Sequence, residues 1–392
     1  MRTDAEPVVG TWVQIVERIG REVARAHAAE VDQQGRFPRE TLAALKAARV
    51  LSSAVPRELG GGGADVVEIA ETCTALAAHC SSSAMVLAMH QIQVLTLVDH
   101  AGKSQELLDY LRSLCHEQRL IASVTSEVGP SGDLRKSVAP VEHSPDGTFR
   151  LEKRSTTLSY GQQADDLLIT ARRNAEAAPS DQVLVLALRG EFELSEIGTW
   201  DALGMRGTCS PSAKVRAHGR KWQVLAEPFG RIASATMVPS SHVFWASCWL
   251  GLAQDAVAAA HALLRSRAKS DPSVTPRGAT RVAALVAKLQ MLRDQVHSMA
   301  QQYQELRRAR DYDTLESVGF ALRVNNLKLS GSQLVVELVG DALSAAGIAA
   351  YKNDSRYALG RHLRDAYSAL VMLNNDRLLE TNASLLTIYK GI

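Results

Sequence analysis

Residues 121–173 read IASVTSEVGPSGDLRKSVAPVEHSPDGTFRLEKRSTTLSYGQQADDLLITARR, a run of short β-type segments broken by glycine and polar turns. Residues 121–124 form an apolar strand. The loop that follows, 125–133, is made of hydroxyls and glycines, with no side chain bulky enough to hold a ligand away from backbone N–H groups. Residues 149–151 and 166–170 are further strands, and Ser155-Thr156-Thr157-Leu158-Ser159-Tyr160-Gly161 brings a second set of hydroxyls. Two such loops on one small sheet can hold a flat ring by its polar edge. Each taken alone is also what a solvated turn looks like.

Long segments of helical periodicity flank this stretch. Before it, Val9, Trp12, Ile15, Val16, Ile19, Val23 and Ala26 recur at spacings of three and four, which predicts an amphipathic helix over 8–30. Pro38 opens a second helix, and 66–79, 82–100 and 105–119 read as three more. Met85, Met89 and His90 are candidates to line a pocket, although methionines at helical spacing serve a core equally well. After it, 243–267, 278–308, 315–346 and 359–389 have the lengths of an antiparallel four-helix bundle. Within the β region, 182–188 and 221–226 read as strands and Asp146-Gly147 as a hairpin turn. The expected fold class is α+β, with a helical domain over 1–119, a barrel-like β domain over 120–235 and a helical bundle over 236–392.

Composition excludes several functions. With 46% hydrophobic and 22% charged residues and a net charge of +2 spread along the chain, there is no electrostatic footprint for nucleic acid or a membrane surface. The five cysteines are scattered without CxxC spacing, so neither a disulfide framework nor a metal site is expected, and a reducing cytoplasm suits them. Residues 1–13 lack the apolar run of a signal segment, and no stretch of about 18 uninterrupted apolar residues occurs.

Order and spacing carry more. Ser126-Glu127-Val128-Gly129-Pro130-Ser131-Gly132-Asp133, the Ser159 turn, Ala164-Asp165 and Leu203-Gly204-Met205-Arg206-Gly207-Thr208 together resemble the middle domain of the acyl-CoA dehydrogenase superfamily. There, a Thr/Ser-Glu-x-Gly-x-Gly-Ser-Asp loop and a Trp-Ile-Thr/Ser segment hold the flavin of FAD. The resemblance extends over nearly the whole chain. Val55-Pro56-Arg57-Glu58-Leu59-Gly60 is similar to a family turn that has tyrosine at the Leu59 position, and Gly251-Leu252-Ala253-Gln254 leads, thirteen residues on, to Arg267. Asp341-Ala342-Leu343-Ser344-Ala345-Ala346-Gly347 carries Ser344 in the family's glutamine place, and Arg361-His362-Leu363-Arg364-Asp365-Ala366 is the most specific match.

This resemblance implies a flavin site. Ser126 and Ser159 would bond the ring, with Thr125, Thr157, Leu158 and Gly132 beside them. Ser131, Arg267, Ser344, Gly347 and Asn375 would hold the ribityl and phosphate portions, Arg267 reaching the cofactor of a neighbouring subunit in a homotetramer or homodimer. FAD is the family cofactor. FMN stays open, because Ser270 and Asp271 stand where an adenine-holding Phe-Gly is usual.

Two departures bear on the reaction. A dehydrogenase of this family removes an α-proton with a glutamate, and its two usual positions are Leu373 and Ser241 here. Thr157 stands where a flavin-shielding tryptophan is usual. Loss of the base and room beside the ring both resemble the family's oxygen-using branch. The implied function is a flavin-dependent oxygenase or oxidase that uses O2 on a CoA-thioester, a related specialised-metabolism intermediate or an aromatic substrate. His242 is the candidate proton donor and Asn375 the candidate for orienting a carbonyl. The alternatives are an acyl-thioester α,β-dehydrogenase with a displaced base, His242 or Asp376, and a catalytically silent flavin-binding subunit.

Overall fold

The computed structural model describes residues 10–129, 135–270, 272, 275–276 and 278–391. Thr11 starts helix α1 (Trp12–Ile19) with a capping box, its side chain accepting from Gln14 N–H while Gln14 reaches back. A π-turn over Gly20–Ala24 carries the chain into α2 (Arg25–Gln34). Then come α3 (Arg39–Ala47), α4 (Val66–Ala77), α5 (Ser81–His100) and α6 (Gln105–Glu117). Helix α5 is buried almost all round, as its continuous Ala, Leu and Met content requires.

Among the described residues seven strands follow: β1 (Ile121–Val124), β2 (Glu142–His143), β3 (Thr148–Ser155), β4 (Asp166–Arg172), β5 (Gln182–Ala187), β6 (Phe192–Ser195) and β7 (Ala213–Arg220). They form two sheets, ordered β1-β4-β5 and β2-β3-β7-β6. Strand β1 runs parallel to β4, pairing Ile121 with Asp166, and β2–β3 is the hairpin expected around Asp146-Gly147. Segment 221–226 is not a strand; it is a 3-10 turn, Lys221–Gln223, followed by a single bridge from Val224 to Val185.

The chain returns to helix at Phe229, seven residues before the expected boundary at 236. Helix α7 (Phe229–Ile232), a π-turn (Ala233–Met237) and α8 (Val238–Ser270) make one continuous rod. Pro239, which cannot donate to the helical ladder, follows the π-turn and accounts for it. Helices α9 (Ala279–Ala309), α10 (Tyr312–Leu315), α11 (Val318–Ala346), α12 (Ile348–Tyr351), α13 (Gly360–Val371) and α14 (Asn375–Leu386) complete the chain. The single helix expected over 359–389 is broken at 372–374, where Leu373 adopts φ +51° and Asn374 caps α14 by accepting from Asp376 N–H.

Close approach of α4 and α8 joins the N-terminal helices to the bundle. A Cβ at Gly251 would lie 2.1 Å from the Thr74 carbonyl oxygen, so the glycine permits the crossing. Arg307 adds a bidentate ion pair to Asp99 at 2.6–3.0 Å. Two helices, Ser81–His100 and Phe229–Ser270, are long and apolar enough to cross a membrane, but 89% and 72% of their apolar windows lie inside the protein.

Candidate active site

A cavity of about 1140 Å³ lies where α5, the two hydroxyl loops, the π-turn, α11 and the α13–α14 break meet. Thr125, Ser126, Thr157 and Ser159 line one part of it. Ser126 joins the two loops: its Oγ lies 2.8 Å from Ser155 Oγ, donates to the Thr157 carbonyl at 2.8 Å and accepts from Thr157 N–H at 3.0 Å. Glu127 turns inward instead, accepting from Val138 N–H, Ala139 N–H and Ser137 Oγ, which fixes the path of the first loop. Behind it, the buried Lys153 donates to Thr170 and lies 3.5 Å from Glu127; burial lowers its pKa to about 8 against that carboxylate's pull. Leu158 is buried beneath the second loop and does not line the cavity.

The second loop is fastened to residues 205–211. Leu158 N–H donates to the Pro211 carbonyl, Tyr160 N–H to the Thr208 carbonyl, and Ser210 Oγ to Ser159 Oγ at 2.8 Å. The Arg-x-x-Arg-Asp-Ala signature acts here. Asp365 accepts from Met205 N–H at 2.7 Å, and Gly204 lets that backbone close on α13, since a Cβ would fall 2.1 Å from the Arg364 carbonyl oxygen. Arg364 pairs with Asp32, so the signature also reaches the N-terminal helices.

Both positions expected to lack the glutamate lie on the cavity wall. Ser241 donates to the Met237 carbonyl at 2.6 Å, and Leu373 occupies the left-handed conformation at the helix break. Asp376 and Glu380 line the same cavity. His242 also lines it, fully buried, with Nδ1 3.1 Å from the Val324 carbonyl. A carbonyl only accepts, so Nδ1 carries the proton and Nε2 the lone pair. Burial lowers the imidazole pKa to about 4, partly opposed by the Val324 bond and reinforced by the Lys328 charge. In this neutral tautomer the Nε2 of His242, the expected proton donor, is an acceptor, and its N–H is held by the Val324 carbonyl. His90, expected beside Met85 and Met89, faces elsewhere, bonding the Leu51 carbonyl and accepting from Ile121 N–H. The two methionines do line the cavity.

Asn375 is not on the cavity wall. Its Oδ1 accepts from Lys328 Nζ at 2.5 Å, and its Nδ2 donates to Ser332 Oγ at 3.1 Å. The carbonyl-orienting role is thus unsupported, because the amide is committed to a buried lysine. Arg267, Ser344 and Gly347 stand apart from the cavity as well: Arg267 donates to the Ala346 carbonyl at 3.3 Å, and Gly347 ends α11 at φ +67°. Arg267 lies 26 positions beyond Ser241 on α8, roughly 39 Å along the axis at 1.5 Å per residue. Ser131, Gly132 and Asp271 lie outside the described residues.

Several cavity residues escaped the sequence reading: Gln93, Ser210, Trp245 and Phe320 all line it, beside Tyr160 and Thr208 from the segments quoted above. Trp245 was findable, standing three positions from His242 on one helix face. Ser210 carried no motif of its own beyond the glycine-containing segment, 203–208, that it follows.

Family models of the acyl-CoA dehydrogenase N-terminal and C-terminal domains match residues 11–118 and 237–372. The chain belongs to the acyl-CoA dehydrogenase family. It is 25% identical to YdbM of Bacillus subtilis over 201 residues, and spans about half of that relative, 51% of each chain. It is 24% identical to the probable acyl-CoA dehydrogenase FadE25 of Mycobacterium tuberculosis, covering 87% of this chain and 85% of the other. Among solved structures, FMN-bound TdsC from Paenibacillus sp. A11-2 superposes with a TM-score of 0.83 at 19% identity, covering 98% of both chains. KijD3 in complex with FMN and a dTDP-linked amino-keto sugar superposes with a TM-score of 0.81 at 24% identity, covering 98% and 96%.

Proposed function

We propose that this protein is a flavin-dependent oxidoreductase that uses O2, an oxygenase or oxidase built on the dehydrogenase scaffold. The observation that carries this reading is the pair Ser241 and Leu373: both family base positions face the cavity, and neither side chain takes up a proton. The cavity suits a flavin, FMN or FAD. Its hydroxyl rim meets the polar edge of a flat ring, Met85, Met89 and Phe320 offer apolar faces, and Thr125 Oγ1 has no hydrogen-bond partner among the described residues. When bound, the flavin supplies the electron-transfer and oxygen chemistry. Ser126 and Ser159 would stand at the polar edge of the ring, Thr157 would leave space beside it, and the buried aromatic and methionine side chains would exclude water.

TdsC, a dibenzothiophene monooxygenase, and KijD3 share this fold and bind FMN in their structures, which supports the reading. The group Arg267, Ser344 and Gly347 lies off the cavity, which favours a homo-oligomer whose cofactor phosphates are held by a second copy. To test the function, the flavin-loaded protein is reduced under nitrogen and mixed with aerated buffer, and is separately treated with saturated acyl-CoAs in the absence of O2. Rapid reoxidation with no bleaching by acyl-CoA is the expected outcome. Slow reoxidation with acyl-CoA bleaching favours a dehydrogenase with a displaced base, His242 or Asp376.

A further inference from the structure

A second groove, of about 770 Å³, lies between the later turns of α8 and the start of α13. Ala258 and Ala262 keep its floor on α8 low, and Arg265 and Lys269 continue along the same helix face. Arg265 stands 24 positions beyond Ser241, roughly 36 Å along the axis at 1.5 Å per residue, so the groove is remote from the flavin cavity. Arg265 and Arg267, two positions apart, leave the helix about 160° from each other at 3.6 residues per turn. The groove is therefore also on the other side of α8 from the Arg267 group.

Its charge is one-sided. Arg25, Arg265, Lys269, Arg356 and Arg361 line it against a single carboxylate, Asp255, among the described residues. That carboxylate is already committed, accepting from Arg25 at 3.0 Å and lying 2.7 Å from His362 Nε2. Arg265, Lys269 and Arg356 have no ion-pair partner among the described residues, and Arg361 has only a 3.7 Å contact with Asp365. Helix α13 begins beside the groove without a side-chain cap, so the positive end of its dipole adds to the same field. The flavin cavity shows no such bias, since Arg135 and Arg377 share its wall with Glu316, Asp376 and Glu380. Cations gathered without counter-charge repel one another, and an anion seated among them relieves that cost. The cations come from three places, α2, α8 and the approach to α13, around more room than one phosphate fills. Arginine forks match phosphate oxygens in pairs.

We infer that this groove binds a ligand carrying two linked phosphates, either a free diphosphate or the diphosphate of a nucleotide, at a site distinct from that of the flavin. The test is calorimetric titration of the purified protein with inorganic pyrophosphate, orthophosphate, sulfate and ADP at about 0.15 M salt, where weak surface attraction is screened. Pyrophosphate should bind at least tenfold more tightly than orthophosphate or sulfate. Arg265→Ala combined with Lys269→Ala, both exposed, should weaken it at least tenfold, while Arg308→Ala, exposed on α9 and outside the groove, should leave it unchanged. ADP binding more tightly than pyrophosphate identifies a nucleotide; equal or weaker binding identifies a free diphosphate. No pyrophosphate binding at millimolar concentration, equal binding of every anion, or an equal loss in Arg308→Ala overturns the inference. Pyrophosphate binding abolished by saturation with FAD but not with FMN also overturns it, because the groove would then belong to the cofactor.

Discussion

The carboxylate of Asp365 on α13 accepts the backbone N–H of Met205 at 2.7 Å, fastening the segment on which the second hydroxyl loop rests. Asp365 is buried, and burial pushes its carboxyl pKa up against the pull of Arg361 at 3.7 Å. Asp365→Ala orphans the Met205 N–H, a cost of about 1–3 kcal/mol. Urea unfolding should show that loss together with weakened flavin retention, and Asp365→Asn, which keeps an acceptor oxygen, should show less of both.

Acid should destabilise the protein before its carboxylates titrate. Burial depresses both His90 and His242 to about 4 in the folded chain, against about 6.5 when unfolded. The unfolded state therefore binds more protons between these values, and stability falls as pH drops from 6.5 toward 4. Each imidazole contributes a loss of about 2 kcal/mol between pH 7 and pH 5. Denaturation curves at the two pH values measure it, and His242→Leu should remove its share.

Lys328 is fully buried, has no carboxylate within ion-pair reach among the described residues, and gives its ammonium to Asn375 Oδ1 at 2.5 Å. Burial lowers its pKa to about 8. Asn375→Ala strands a buried charge and should cost about 2–3 kcal/mol. Lys328→Met should cost less, and the double variant less than the sum. Additive losses in a double-mutant cycle would show that the two side chains do not act together.

Arg267 tests how the cofactor site is completed. It lies far from the cavity of its own chain, so under the proposed shared site Arg267→Ala would act on the flavin through a neighbouring copy. Flavin dissociation should rise more than tenfold with the cavity residues intact, as read by fluorescence of released flavin alongside sedimentation of the protein. Unchanged retention in an intact oligomer contradicts the shared site.

Much of this arrangement was legible in the sequence, for physical reasons that particular residues show. The helices announce themselves by apolar spacing, and Ser126 and Ser159 by hydroxyl loops that lack bulk. Strand β7 was missed because its inward residues, Ala213, Val215, Ala217 and Gly219, are small, so its alternation carries little hydropathy contrast. The break at Leu373 has no glycine or proline to signal it; its one local mark is Asn374, a capping residue for the next helix. His242 was found, but its role turned on a hydrogen bond to Val324, which lies 82 positions away and is visible only in three dimensions.

The central claim is that the missing carboxylate at Leu373 and Ser241 marks oxygen use instead of acyl-thioester dehydrogenation. The most direct test is anaerobic titration of the flavin-loaded protein with short, medium and long saturated acyl-CoAs, following the flavin absorbance. The flavin should stay oxidised with every one of them, while the reduced protein reoxidises rapidly once air is admitted. Stoichiometric bleaching by any saturated acyl-CoA would contradict the account and move the base to His242 or Asp376.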